Sequence, residues 1–164
     1  DYSDIDSFIL KSDEFFDPNQ IYEMEYQILS TLNFDLLCTT SYNFLTYYFF
    51  KIRDNGSKVF HLANYIMQTC LLNSSIMSFK PSIIASSALC TARTIVKGRS
   101  SDPWTQEIVS KTGYTEEEIK PCMKQIVIFL QYILSSKDNL FIKKFNSQKF
   151  EWIGNIFQEK MIRC

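Results

Sequence analysis

Glycine and proline are scarce in this chain, four residues of each in 164, and long stretches contain neither. That shortage excludes a turn-rich β fold, which needs both at its many reversals, and it predicts helices. Histidine occurs once, as His61, and the five cysteines (Cys38, Cys70, Cys90, Cys122 and Cys164) are widely spaced with no CxxC pair. A zinc cluster requires closely spaced ligands, so no metal and no cofactor is expected. An odd cysteine count without disulfide-like spacing suits a reducing compartment, nucleus or cytoplasm. A charge surplus is missing too: 17 basic residues face 18 acidic ones, for a net charge of −1 and a pI near 5.9. Nothing in that balance tracks a phosphate backbone, so nucleic acid is disfavoured as a partner. No apolar run approaches the roughly 18 residues needed to span a membrane, so no membrane partner is expected. No signal peptide is visible, and no short fixed repeat is found.

What the chain does have is apolar and aromatic side chains, 46% and 15% of its residues, enough for one good core or two small ones. Tyr2, Ile5, Phe8 and Ile9 recur at helical spacing without a run-in, as though an earlier part of a domain were cut away. Asp17-Pro18 then supplies an N-cap and a first-turn proline for a helix reaching Leu32, and Asn33 to Thr39 form a connector. Tyr42, Phe44, Leu45, Tyr48, Phe49 and Ile52 predict an aromatic helix ending before Asn55-Gly56. Ser57 can cap the next one, with Leu62, Ala63, Ile66, Met67, Cys70 and Leu71 on its apolar face. Lys80-Pro81-Ser82 starts a third helix, small or apolar almost all round from Ile83 to Ala92, which marks a helix surrounded by others. Gly98 is its expected stop. A short fourth helix follows Asp102-Pro103-Trp104-Thr105 and ends at Gly113, suited to a left-handed position. Thr115 and Glu118 form a capping box for a fifth helix, whose buried face carries Ile119, Met123, Ile126, Val127, Leu130 and Ile133. Pro121 falls late enough to predict a slight bend. Phe141, Phe145, Phe150 and Trp152 are expected to pin a polar tail to the surface.

The helix from Ile21 to Leu32 carries a carboxylate, Glu25, near the middle of its apolar stripe. At about 100° per residue, Ile21, Ile28 and Leu32 lie to one side of Glu25 and Leu29 and Tyr22 to the other. Glu23, Gln27, Ser30 and Gln20 fall opposite, facing water. A charge inside a contact surface is costly unless a cation or several hydrogen bonds meet it. The stripe reads as a docking face awaiting a partner, or as a helix whose Glu25 reaches water or a cation of its own chain.

Other groups suggest chemistry less well. Asp102, Glu107, Glu116, Glu117 and Glu118 sit where first-turn acids favour the helix dipole. Ser86 and Ser87 have no His or Lys placed to activate them, and nothing links Cys122 to His61. Lys143, Lys144 and Lys149 suit a solvated tail, and Trp104 and Trp152 suit packing anchors. No catalytic residue is expected, so the chain is not read as an enzyme.

The run Glu23-Met24-Glu25-Tyr26-Gln27-Ile28-Leu29-Ser30-Thr31-Leu32-Asn33-Phe34-Asp35-Leu36 closely resembles the last helix of the first cyclin box in mitotic A- and B-type cyclins. Pro81-Ser82-Ile83-Ile84-Ala85 through Ala88 and Ala92 is similar to the third helix of the second box. Lys111-Thr112-Gly113-Tyr114-Thr115 with Ile119, Lys120, Pro121 and Cys122 is similar to the junction of that box's last two helices. Asn146-Ser147-Gln148-Lys149-Phe150 resembles the motif after the box. The resemblance implies an all-α fold: residues 1–36 as the remainder of a first box, 37–136 as a complete five-helix second box, and 137–164 as an extension packed on its surface.

It also implies a regulatory subunit of a cyclin-dependent protein kinase in cell-cycle control, acting in nucleus and cytoplasm. Glu25, Leu29, Leu36 and Tyr22 would then face the kinase. The Met-Arg-x-Ile-Leu-x-x-Trp signature of the first box is absent, so the chain is expected to be the C-terminal part of a longer cyclin. Residues 1–164 alone are expected neither to activate a kinase nor to recruit substrates efficiently. Two other readings are a cyclin-fold transcription-factor module contacting DNA or polymerase, and a purely structural cyclin-fold domain.

Overall fold

The structure, a computed structural model, describes residues 9, 16–52, 56–98 and 102–135. Every regular element among them is a helix and none is a strand. The chain divides into two compact units, Asp1–Cys38 and Thr39–Cys164.

In the first unit, helix α1 spans Pro18–Thr31. Asp17 is its extended N-cap, and Pro18 occupies a first-turn position whose N–H would have no partner in the helix. The Gln20 side-chain carbonyl reaches back to accept from the Asp17 N–H at 3.1 Å. At the other end, Asn33 and Phe34 turn into the left-handed region, at φ 50° and 55°. The Asn33 N–H donates to the Ser30 carbonyl at 3.0 Å and the Phe34 N–H to that of Leu29 at 2.8 Å. This Schellman-type closure satisfies the last carbonyls. Asparagine tolerates such a φ, whereas for Phe34 it costs on the order of 1–2 kcal/mol.

The second unit contains α2 (Ser41–Ile52), α3 (Ser57–Cys70), α4 (Ser74–Met77), α5 (Pro81–Lys97), α6 (Gln106–Thr112) and α7 (Glu116–Ser135). The five longer helices and the small-residue centre are those expected from the sequence. Helix α5 packs against α2, α3, α4 and α7, because Ala85, Ser86, Ser87, Ala88 and Ala92 hold neighbours close and are fully buried. Leu45 of α2, Leu62 and Ile66 of α3, and Ile119, Ile126 and Leu130 of α7 belong to the same core. Burying one such side chain contributes about 1.5–3 kcal/mol before chain entropy is counted. Two hydroxyls of α5 are met locally: Thr91 and Thr94 donate to the carbonyls of Ser87 and Cys90 at 2.8 and 3.0 Å. Ser87 reaches α7, donating to the Ile119 carbonyl at 3.3 Å.

The corners follow their turn chemistry. Gly98 and Gly113 both take positive φ, 79° and 77°, where a Cβ is disfavoured. The Thr115 N–H donates to Glu118 Oε2 at 2.8 Å and the Glu118 N–H to Thr115 Oγ1 at 3.4 Å, completing the capping box. Trp104 anchors the corner before α6, its Nε1–H donating to the Tyr114 carbonyl at 3.0 Å. Arg93, buried on α5 and not foreseen, ties the same corner down through Nε–H to the Pro103 carbonyl at 3.0 Å.

Four expectations need correction. Gly56, not Ser57, is the N-cap of α3, and Ser57 is its first helical residue. Leu71, assigned to the apolar face of α3, is its C-cap and is exposed, because the chain has already turned away there. Tyr42 is exposed as well, at the outer start of α2. Helix α4 was not foreseen: a single turn has no periodicity to read, although its cap Asn73 accepts from the Ser75 N–H at 3.0 Å. Pro121 lies inside α7 and α7 continues through it. Its missing N–H deprives the Glu117 carbonyl of a partner at a position where both residues are exposed. The expected first helix apart from Ile9, the tail from Phe141 to Trp152 and the motif at 146–150 lie outside the described residues.

Candidate functional site

Helix α1 has no buried residue, although its sequence is rich in large apolar side chains. Phe16, Gln20, Ile21, Met24, Glu25, Ile28 and Leu29 line an open groove of about 580 Å³. Its lining is apolar apart from the Gln20 amide and the Glu25 carboxylate. The exposed apolar surface continues past the helix through Leu32, Phe34, Leu36 and Leu37. An apolar groove open to solvent is a surface suited to an interaction.

The groove corrects the reading of the stripe. Glu25 lines it together with Ile21, Ile28 and Leu29, and at about 100° per residue Met24 and Glu25 lie equally far to either side of Ile28 and Ile21. Gln20, assigned to the watery side, is part of the lining, and Tyr22 is not. Leu29 is half-buried and lines the groove; Tyr22 and Leu36 are exposed elsewhere, the latter in the connector. Met24 and Phe16 were missed as groove residues. The signal for Met24 was available: it sits about 100° from Glu25, and a stripe centred on Ile28 would have included it. Glu25 is exposed, and among the described residues no cation pairs with it.

The other candidates separate from this face. Asp102 accepts from the Trp104 N–H at 3.0 Å, a turn-forming role. The Thr115 backbone and hydroxyl hold the Glu118 carboxyl below its usual range. Among the described residues no group of His, Cys, Asp and Glu is arranged to hold a metal, and no described helix is long and apolar enough to cross a membrane. Ser86 and Ser87 are buried inside the bundle. The Cys122 thiol is pushed up by burial, which keeps it protonated and un-nucleophilic. His61 instead lines a shallower aromatic hollow of about 340 Å³ with Thr46, Phe49, Phe50, Ser57 and Phe60. Lys143, Lys144, Lys149 and Trp152 lie outside the described residues.

Comparison with known proteins agrees with this architecture. The model of the cyclin C-terminal domain matches residues 39–158, most of the chain. The chain is 28% identical over 160 residues to a G2/mitotic-specific cyclin-A of Hydra viridissima, covering 96% of this chain and 37% of that protein. It is 34% identical over 121 residues to cyclin-A2 of Bos taurus, covering 73% and 27%. With cyclin-B2-3 of Arabidopsis thaliana it shares 28% over 146 residues, covering 89% and 33%. The chain thus spans little more than a third of these relatives, or less.

Proposed function

Because the chain belongs to the cyclin family through its C-terminal domain, we propose that it serves within a regulatory subunit that binds and activates a cyclin-dependent protein kinase in cell-cycle control. The observation that carries this reading is the α1 face: an exposed apolar groove lined in part by Glu25, a carboxylate that no cation pairs with among the described residues. A kinase segment with an apolar side and a basic residue would meet both features. Leu29 and the exposed Leu36 extend the contact, and Tyr22 supplies its flank. Pressing on a kinase's mobile helix holds the catalytic ion pair in place. A partner that binds the active arrangement better shifts the population toward it, so the cyclin itself performs no chemistry. The places of action are the nucleus and the cytoplasm, where the kinase and its substrates are reached.

In a full-length protein, Glu25→Lys is expected to weaken kinase binding by about tenfold or more while the circular dichroism spectrum stays unchanged. Unchanged affinity in a folded variant would overturn the reading. Loss of folding without a specific binding defect would assign α1 a packing role instead.

A further inference from the structure

Charge is balanced over the whole chain but not along it. From Thr40 to Gly98 the sequence holds six basic residues, Lys51, Arg53, Lys58, Lys80, Arg93 and Lys97, against a single acidic one, Asp54. Lys51, in the last turn of α2, and Lys58, in the first turn of α3, are both exposed. The same two helices build the aromatic hollow of about 340 Å³, and every residue that lines it belongs to the second unit. Its walls are Phe49 and Phe50 of α2 with Phe60 and His61 of α3. Phe49 and Phe60 tilt against each other with ring centroids 5.0 Å apart, and the Phe60 ring meets that of His61 edge-on at 5.9 Å. Phe50 is 79% exposed, which leaves most of its apolar area to gain by burial. Polar groups are few here: the Thr46 hydroxyl already donates to the Tyr42 carbonyl at 2.9 Å, leaving Ser57 and His61.

We propose that the α2–α3 hollow is a docking site for an acidic linear peptide of another protein. The peptide seats one large apolar or aromatic side chain among Phe49, Phe50 and Phe60 and sets its carboxylates against the positive field of Lys51 and Lys58. The size of the hollow lies at the low end of ligand pockets, roughly 300–1,000 Å³, and suits one bulky side chain. Contact with the rings supplies the affinity. The charges supply selectivity and speed of encounter, and a basic peptide would meet a surface of its own sign. A single-stranded nucleic acid also uses rings and cations, but it needs a groove of cations that tracks its backbone, and the lining of the hollow holds no Lys or Arg. Nothing in this proposal rests on the kinase reading, whose residues Tyr22, Glu25, Leu29 and Leu36 belong to the first unit.

The test uses a short dye-labelled peptide with one tryptophan between runs of aspartate and glutamate, titrated with the 164-residue chain and read by fluorescence polarisation. Saturable binding is expected, weakening as salt rises, and absent when alanine replaces the tryptophan or lysines replace the acids. Phe50→Ala should weaken binding about tenfold with an unchanged circular dichroism spectrum, since the side chain it removes is mostly exposed. K51E/K58E offers a second route that leaves the rings in place, and it should weaken binding while flattening the salt dependence. No binding, or binding indifferent to both variants, would overturn the site. Two other occupants would overturn it as well: a second copy of the chain, seen as self-association in sedimentation that Phe50→Ala abolishes, or a single-stranded oligonucleotide that displaces the peptide and binds more tightly.

Discussion

Burial pushes the Cys70 and Cys90 thiols up to about 12, and raises that of Cys122 as well, whereas Cys38 is exposed in the connector. The thiolate is the reactive form, so the three buried sulfurs are inert side chains of the core. With iodoacetamide at pH 8, Cys38 should alkylate within the folded protein while Cys70, Cys90 and Cys122 react only on unfolding; peptide mass spectrometry reads each site. The same shifts fix a pH dependence. Above pH 9 the unfolded chain ionises Cys70 and Cys90 while the folded chain keeps them protonated, so their contribution is full below 9 and falls toward 12. Their small, apolar character was legible in the surrounding sequence. Ser86 was not: its hydroxyl is buried with no hydrogen-bond partner among the described residues. Burial raises the Tyr48 hydroxyl, and nearby Ser86 pulls it back without a well-formed bond. Arg93 was equally invisible, since an arginine in a helix reads as exposed until the corner at Pro103 closes over it.

At the scale of the element, legibility followed local chemistry. Caps and stops that act within four residues were readable, as at Pro18, Pro81, Gly98, Gly113 and Thr115-Glu118. Helix α4, too short for a pattern, and the turn that exposes Leu71 were not. Helix α5 is where packing is least forgiving. Ala88 is fully buried with α2, α3, α4 and α7 packed around its helix, so Ala88→Leu has no space to fill. It is expected to destabilise the protein by about 1–3 kcal/mol, and to lower the urea midpoint without changing the slope. A midpoint equal to that of the unsubstituted protein would mean that α5 is not enclosed. On α1 the pattern grouped Glu25 with Ile21, Ile28 and Leu29, which line one groove, but left out Met24 and Gln20, which line it too.

The whole molecule joins elements of unequal support. The second unit encloses a continuous core running from Leu45 to Leu130, while α1 has no buried residue. Amide exchange should therefore be slowest in α5, through opening of the whole bundle, and much faster in α1 of the isolated chain. Equal protection in α1 and α5 would contradict that inequality. A partner seated on the groove should slow α1 selectively.

The sequence by itself determined the longer helices, most of their ends and the small-residue centre of the bundle, because capping, periodicity and side-chain size act over a few residues and need no long-range contact; the family showed in the resemblance of particular motifs. Tertiary structure alone decided that Arg93 is sealed inside, that Leu71 is left outside, and that the Ser86 hydroxyl is buried with no hydrogen-bond partner among the described residues. Those outcomes depend on what other elements cover, and covering is a property of chain segments far apart in sequence.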